Sequence, residues 1–406
     1  MLTDIFPILS ALRRHRLTAS LVVLEIALTC AIVCNAIFLI SDRLNQMDAP
    51  SGIDEANVVR IVVSDIGKLG DTHARAETDL AALREIPGVV SATIINALPF
   101  GPMDWNSGVR LSLTQKVSTL NSGNYYGERV GETFGTRLVA GRYFRPDEYV
   151  WLDDVIAQRT KPPALVVISE PMAKRLFGTE SALGKSIYIG ADTELRVIGV
   201  VERLARAGMH NRSEMDFTTL VPLREVASTG GSIVIRTQPG QANQVLARAA
   251  EKLKQIEPRR VIVEKTTYGE IRARHFAADR AMAGLLVAVC IILLVVTALG
   301  IVGLASFWVG QRRRQIGVRR ALGARRVDVL RYFQTENFLL ASMGIVLGMA
   351  LAYGINLLLM REYELPRLPL GYLPVGAVLL WALGQVSVLA PALRAASVPP
   401  VVATRG

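Results

Sequence analysis

The stretch QRRRQIGVRRALGARRVDVLRYFQTE, residues 311–336, decides how this chain is organised. It carries eight arginines against two acidic residues, and a long apolar stretch flanks it on each side. Loops that connect membrane spans on the cytoplasmic side are enriched in Lys and Arg. This arginine-rich segment (residues 311–336) therefore predicts that the chain crosses a bilayer and in which direction it does so.

Four apolar stretches are long enough to cross a bilayer in this chain of 406 residues, of which 51% are hydrophobic. A helix needs about 20 apolar residues to span the roughly 30 Å hydrocarbon core. We therefore predict four transmembrane helices, at residues 17–41, 281–310, 337–360 and 368–393. A cleaved signal peptide is the alternative for the first stretch. Its apolar run exceeds the roughly 7 to 15 residues of such peptides, which favours a retained anchor.

The formal net charge of +11 falls mainly in three short segments. Residues 1–16 carry +2, residues 311–336 carry +6 and residues 394–406 carry +2, whereas residues 42–280 carry only +2. A four-span topology places the three basic segments on one side of the membrane. We therefore expect a cytoplasmic N-terminus, a cytoplasmic arginine-rich segment and a cytoplasmic tail. Residues 42–280 and the short loop 361–367 are expected on the other side.

A basic surface for nucleic acid is the alternative reading of the arginine-rich segment. Orientation in the membrane already explains the charge, so no nucleic-acid partner is expected. The cysteines Cys30, Cys34 and Cys290 all lie within predicted spans, and residues 42–280 therefore cannot rely on disulfides.

Residues 42–280 are predicted to form a large mixed α+β domain between the first two spans. β-branched runs and helical spacing predict two β-α-β passes, at residues 57–64, 73–85 and 89–95 and at residues 232–236, 241–256 and 261–264. Alternation around a turn at residues 190–193 predicts a hairpin between them. The region is large enough for one or two small subdomains.

No catalytic constellation is evident in this domain. His73, His210 and His275 are scattered without metal-ligand spacing, so neither a metal site nor a catalytic site is expected. The tripeptide Gly184-Lys185-Ser186 resembles the end of a phosphate-binding loop, but Thr179 occupies the position that requires glycine. We assign it to a turn, and we expect that this chain does not hydrolyse nucleotide by itself.

Five ordered segments carry a family resemblance: LREIPGVVSATIINALPF (residues 83–100), FGTRLVAGRYF (134–144), VISEPMAKRLFGTESALGKSIYIGADTELRVIGVV (167–201), RQIGVRRALGA (314–324) and PALRAASVPPVVATR (391–405). Together they resemble the MacB/FtsX-type permeases of ABC transporters. The resemblance implies four spans in a bacterial inner (cytoplasmic) membrane, with a MacB-like periplasmic domain between the first two.

Some members of that family carry a fused ATPase, whereas only 16 residues precede the first predicted span here. We therefore expect a separate ABC ATPase subunit that binds ATP and Mg²⁺, and no cofactor in this chain. The other partners implied by the resemblance are a second permease subunit, identical or paralogous, a periplasmic adaptor protein and the lipid bilayer.

In this family the segment after the second span forms a cytoplasmic helix that docks on the ATPase. Ile316, Val318, Leu322, Val327 and Leu330 can form an apolar edge among the arginines, which suit carboxylates of a partner. The alternative is that the arginines only hold the segment beside anionic lipids, at about 1 kcal/mol each. The predicted coupling residues are Arg314, Ile316, Gly317, Arg319, Arg320, Leu322 and Gly323.

Small residues in the spans predict close helix packing. Gly344, Gly348 and Ala352 form a stripe in the third span, and Gly300 and Gly303 lie in the second. Packing within one subunit and packing between two subunits both remain open. Glu25 is the one charged residue inside a predicted span, and we expect it to face protein or water.

The hypothesis is a permease subunit that transmits ATP-driven motion from a separate ATPase to a periplasmic domain, for export or efflux. One alternative is a regulator of the same topology, which activates an extracellular enzyme or releases lipoproteins. Another is a membrane-anchored receptor whose arginine-rich segment contacts a signalling protein.

Overall fold

The computed structural model describes residues 16–66, 70–190, 193–208, 214–226, 232–363 and 367–397, except for the side chains at 359, 362 and 363. His210, most of the segments 1–16 and 394–406, and part of the loop 361–367 lie outside the described residues. The chain divides into two compact units. The helical unit comprises the described residues of Met1–Asp48 and Ala278–Gly406, and the α/β unit is Ala49–Ala277.

The helices and strands alternate in the α/β unit and give way to helices alone after it. The helices are α1 (Arg16–Met47), α2 (Thr72–Arg84), α3 (Val130–Phe134), α4 (Leu152–Ile156), α5 (Glu170–Phe177), α6 (Ala242–Ile256), α7 (Tyr268–His275), α8 (Ala277–Gln311), α9 (Arg313–Ala321), α10 (Arg326–Tyr363) and α11 (Tyr372–Ala396). The strands are β1 (Val58–Asp65), β2 (Val89–Ile95), β3 (Asn106–Arg110), β4 (Leu120–Tyr126), β5 (Leu138–Gly141), β6 (Val150–Trp151), β7 (Leu165–Ser169), β8 (Ser186–Ile189), β9 (Thr193–Val201), β10 (Thr218–Val221), β11 (Leu223–Arg224), β12 (Ser232–Thr237) and β13 (Arg260–Thr267).

Within the described residues, four helices are long and apolar enough to cross a membrane: α1, α8, α10 and α11. Two of them extend well beyond the predicted spans. Helix α1 continues past residue 41 to Met47, where Arg43 pairs with Asp279 of α8. Helix α10 begins at Arg326 rather than at residue 337. The predicted limits followed charge, but helical backbone hydrogen bonding continues past the apolar residues into charged ones.

Helix α10 packs closely on α1 through the small-residue stripe. A Cβ atom added at Gly344 would lie 2.8 Å from Ile26, and one added at Gly348 would lie 2.7 Å from the Ala27 carbonyl oxygen. The Asn35 side chain of α1 also donates a hydrogen bond of 3.1 Å to the Ala352 carbonyl. The structure thus places this stripe against a helix of the same chain, as expected where backbones must approach in lipid.

Helix α8 touches the rest of the helical unit through fewer groups. The Thr29 and Thr297 hydroxyls lie 2.8 Å apart, and a Cβ atom at Gly300 would lie 2.5 Å from the carboxylate of Glu25. Glu25 therefore faces protein, whereas Gly303 faces open space. Much of the apolar surface of α8 is exposed, including Leu285, Ile291, Ile292, Val295, Val296, Leu299 and Phe307.

The α/β unit begins and ends in one four-stranded antiparallel sheet of order β13-β1-β12-β2. Helices α2 and α6 pack on it and on each other, and Ile61, Leu83, Ile233 and Val245 lie in the core. The two predicted β-α-β passes thus interleave in one sheet. This is the order of a ferredoxin-like fold, interrupted between β2 and β12.

The interruption is a second, barrel-like subdomain. Strands β9, β7, β10, β4, β3 and β8 pair in that order, and β8 pairs again with β9, so the sheet closes on itself. Strand β5 pairs with the remaining half of β9. Val109, Ile168, Ile187 and Leu195 fill the interior, and closure removes exposed sheet edges. The predicted fold class, four membrane helices with a large mixed α/β domain, is confirmed.

Candidate functional site

The arginine-rich segment folds as a bend between membrane helices rather than as an irregular loop. Helix α8 ends at Gln311, α9 spans Arg313–Ala321, and α10 begins at Arg326. Gly323 adopts φ +102° between α9 and α10, a conformation that disfavours other residues. The Asp328 carboxylate accepts a 2.9 Å hydrogen bond from the Arg325 backbone N–H, which caps the start of α10.

A buried ion pair holds the bend on the helical unit. Nη1 of Arg312 lies 3.1 and 3.0 Å from the two carboxylate oxygens of Glu336, a residue that is only 1% exposed. The same guanidinium donates to the Tyr332 hydroxyl at 3.4 Å. Removal of one member of a buried pair leaves an uncompensated charge, at about 3 to 5 kcal/mol. Arg312 and Glu336 therefore fix where the bend begins and ends.

The predicted apolar edge divides into two faces. Ile316 and its neighbour Gly317 are buried, and Ile316 belongs to the core of the helical unit together with Val329 and Phe333. Leu330 also packs against this core. The inward face of α9 therefore attaches the bend to the membrane helices and is not accessible to a partner.

The outward face exposes three apolar side chains around the Gly323 turn. Leu322 is 84% exposed, Val327 is 51% exposed and Val318 is 46% exposed. We call these three residues the apolar tip. An isolated leucine on a surface needs no explanation, but three around one turn form a patch suited to a partner.

Arginines surround the apolar tip. Six of them are exposed and make no ion pair with a carboxylate within the described part of the chain: Arg313, Arg314, Arg319, Arg325, Arg326 and Arg331. Arg319 lies over the ring of Tyr332, with 5.4 Å between its guanidinium carbon and the ring centroid. Arg320 is half-buried. The arginine-rich segment therefore exposes both apolar side chains and arginines.

A cavity of about 110 Å³ lies between α9 and the first turns of α10, with Arg312, Ile316, Arg319 and Tyr332 in its wall. Sites for small molecules usually enclose roughly 300 Å³ or more. The cavity is therefore smaller than a usual small-molecule site.

The structure thus separates the predicted coupling residues. Arg314, Arg319, Leu322 and Gly323 are exposed, Arg320 is intermediate, and Ile316 and Gly317 are buried. Sequence reasoning missed the Arg312–Glu336 pair, whose members are 24 residues apart. The sequence feature that could have indicated this pair is Glu336, an acidic residue directly before the apolar stretch 337–360. We assigned Gly184-Lys185-Ser186 to a turn from the sequence, and Gly184 of the α/β unit does lie in a turn, with φ +81°.

Comparison with protein families places both units in known groups. The profile of the MacB-like periplasmic core domain matches residues 21–253, and that of the FtsX-like permease C-terminal region matches residues 287–400.

Individual relatives agree with these matches. The chain is 30% identical over 277 residues to the macrolide export ATP-binding/permease protein MacB of Chromobacterium violaceum, covering 66% of this chain and 40% of that protein. It is 29% identical to the macrolide export ATP-binding/permease protein MacB 1/2 of Paracoccus denitrificans, and the alignment covers 97% of this chain and 57% of that protein. It is 26% identical to the uncharacterized ABC transporter permease YknZ of Bacillus subtilis, and that alignment covers 59% of this chain and 61% of that protein. The chain therefore spans 40% to 61% of the length of these relatives.

Solved structures give a weaker likeness. The periplasmic region of MacB from Actinobacillus actinomycetemcomitans aligns with a TM-score of 0.33 at 19% identity, covering 55% of this chain and 94% of that one. The extracellular domain of YknZ aligns with a TM-score of 0.32.

Proposed function

Because the chain belongs to the MacB/FtsX-type family of ABC transporter permeases, we propose that it is a permease subunit driven by a separate ABC ATPase. The ATPase binds ATP and Mg²⁺, and this chain converts its motion into movement of a periplasmic domain for export or efflux. The chain lies in the bacterial inner membrane with the α/β unit in the periplasm. A second permease subunit and a periplasmic adaptor complete the assembly.

The observation that carries this proposal is the apolar tip within its ring of arginines. Unpaired guanidinium groups suit the carboxylates and carbonyls of a protein partner, because their planar donors bind such groups in pairs. Leu322, at the centre, supplies a side chain that loses its contact with water on docking. The Arg312–Glu336 pair holds this face in place before a partner binds.

Anionic lipid is the competing partner for the arginines. An amphipathic helix on a membrane surface presents its apolar residues along one side of several turns. Here they converge at a turn, and the inward side of α9 is already occupied by Ile316. This geometry favours insertion of a blunt tip into a cleft of a protein.

Two continuous helices leave the arginine-rich segment and can carry motion across the bilayer. Helix α10 has 38 residues and is about 57 Å long at 1.5 Å per residue. Helix α8 has 35 residues and follows α7 of the α/β unit directly in the chain. A displacement at the arginine-rich segment is therefore transmitted along rigid elements, which is the physical requirement for such coupling.

The test is association with the ATPase after charge reversal on the exposed face. The wild-type chain is purified in mild detergent, and its ATPase companion is identified by mass spectrometry. The double variant Arg314→Glu and Arg319→Glu is expected to retain less than about a tenth of that ATPase, because repulsion replaces attraction at two rim positions.

The matched control reverses two exposed arginines of the α/β unit, Arg137→Glu and Arg259→Glu, which pair with Glu202 and Glu257. The control is expected to retain the ATPase. Unchanged ATPase recovery with the Arg314→Glu and Arg319→Glu variant would contradict the proposal.

A further inference from the structure

A histidine and two aspartates from distant segments meet on the α/β unit. His73 lies in the first turn of α2, and Asp153 and Asp154 lie in the first turn of α4. One ligand atom from each lies within 4.8 Å of the other two. From the sequence we expected no metal site, because His73, His210 and His275 are scattered without metal-ligand spacing. In the structure His73 meets Asp153, which lies 80 residues further along the chain.

The imidazole of His73 is held in a defined orientation. Its ring stacks on Trp151 with 4.0 Å between centroids and 3° between planes. Its Nε2 atom lies 2.9 Å from each carboxylate oxygen of Asp153. Trp151 in turn packs against the core of the four-stranded sheet. The nitrogen that can bind a metal therefore points at a carboxylate before any ligand arrives.

Arginines and glutamates lie beside the cluster. Arg159 pairs with Asp154 at 2.8 Å, and Arg224 lies 3.5 and 3.7 Å from two glutamates and over Trp151. Arg159 is therefore the cation that a metal would replace at Asp154.

We propose that His73, Asp153 and Asp154 form a binding site for a divalent first-row transition metal such as Zn²⁺. One imidazole with two carboxylates suits Zn²⁺, which binds nitrogen and oxygen at about 2.0 to 2.2 Å and takes water as a fourth ligand. In the metal-bound state the neutral imidazole of His73 carries its proton on Nδ1 and offers the Nε2 lone pair to the metal, and Asp154 is released from Arg159. Mg²⁺ is a poor competitor because it prefers six oxygen ligands.

The metal connects the two subdomains of the α/β unit. His73 belongs to the ferredoxin-like subdomain, whereas Asp153 and Asp154 belong to the segment inserted between β2 and β12. Binding therefore restrains motion between the subdomains. This site is independent of the arginine-rich segment and of the proposed ATPase.

The experiment measures zinc binding to the full chain in mild detergent, without a polyhistidine tag and after treatment with a chelator. Equilibrium dialysis against Zn²⁺ is expected to give one bound ion per wild-type chain, unaffected by a large excess of Mg²⁺. His73→Gln and Asp153→Asn are expected to weaken binding at least tenfold. Arg159→Gln is expected to tighten binding severalfold, because Asp154 is then free to bind the metal.

The control variant is His275→Gln, which removes another imidazole of the same unit and is expected to bind zinc as wild type does. Circular dichroism and gel filtration check that each variant is folded. The proposal is overturned if the wild type binds no zinc, if His73→Gln binds it equally well, or if Arg159→Gln weakens binding. The variant Arg314→Glu and Arg319→Glu is expected to bind zinc normally, so this proposal and that of ATPase docking fail separately.

Discussion

Arginine has different surroundings in the two units of this protein. In the α/β unit, Arg260 has a side chain that is only 2% exposed, and it lies 2.8 Å from Asp79 and 3.1 Å from Asp65. In the arginine-rich segment, Arg314 and Arg319 are exposed and have no carboxylate partner among the described residues. The first kind of arginine holds strands and helices together. The second kind remains available to another molecule.

The charge balance of the sequence already indicates this difference. Residues 42–280 contain 31 basic and 29 acidic residues, so nearly every cation has an anion available within the same domain. The arginine-rich segment has eight arginines and two acids, and one of those acids, Glu336, is already paired with Arg312. The surplus charge of the arginine-rich segment is accounted for by orientation in the membrane, and it leaves most of these arginines without a carboxylate in their own segment.

The largest effect is expected when Arg260 is replaced by leucine. Burial raises the pKa of Asp79, and Arg260 opposes this by stabilising the charged carboxylate. Loss of Arg260 leaves Asp79 and Asp65 without their buried partner, and the free energy of unfolding should fall by about 3 to 5 kcal/mol. Urea denaturation of the full chain in detergent, followed through the α/β transition, measures this.

Arg326→Leu, in the arginine-rich segment, is the control and should change the same free energy by less than about 0.5 kcal/mol. Equal destabilisation by both substitutions would remove the distinction between the two kinds of arginine.

The same distinction is expected for uncharged residues in the membrane. Gly348→Val forces a side chain against the Ala27 carbonyl of α1 and should destabilise the helical unit by about 2 to 3 kcal/mol. Gly303→Val faces open space and should cost nothing measurable. Thermal unfolding in one detergent compares the two. A larger loss for Gly303→Val would mean that α8 is packed more tightly than α10.

A smaller effect, which depends on pH, is expected for Glu225, a carboxylate that no arginine pairs with in the described part of the chain. Burial raises its pKa from 4.5 to about 7 in the folded protein. The folded state therefore binds more protons than the unfolded state between these values, and stability falls as pH rises through this window.

Glu225→Gln should abolish this decline and raise the free energy of unfolding above pH 7 by about 1 to 2 kcal/mol, after allowance for partial exposure. Urea midpoints at pH 5 and pH 8 test it. A decline that persists in the variant would assign the titration to another group.

Regular periodicity made part of the fold predictable. The strands near residues 57–64 and 232–236 are rich in β-branched residues, and the helix near residues 241–256 repeats its apolar side chains every three to four positions. The structure has β1, β12 and α6 at these places. Local pattern was sufficient here because β1 and β12 form one sheet, α6 packs on it, and each of the three contributes apolar side chains to the same core.

Pairings between distant segments were not predictable. Strands β3 and β4 read NSGVR and LNSGNYY, whose Asn, Ser and Gly residues do not favour strands, and closure of the barrel is what pairs them. The meeting of His73 with Asp153 and of Arg312 with Glu336 likewise depends on tertiary structure. Ile316 was assigned to the docking edge because spacing alone does not tell which face of a short helix is covered.

The central claim is that the apolar tip faces the cytoplasm and the α/β unit does not. In a variant whose native cysteines, Cys30, Cys34 and Cys290, are replaced by alanine, Leu322→Cys and Leu113→Cys each introduce one exposed thiol. A membrane-impermeant maleimide is added to intact spheroplasts and, separately, to lysed ones. Leu113→Cys should be labelled in both, and Leu322→Cys only after lysis. Labelling of Leu322→Cys in intact spheroplasts, with Leu113→Cys protected, would contradict the account.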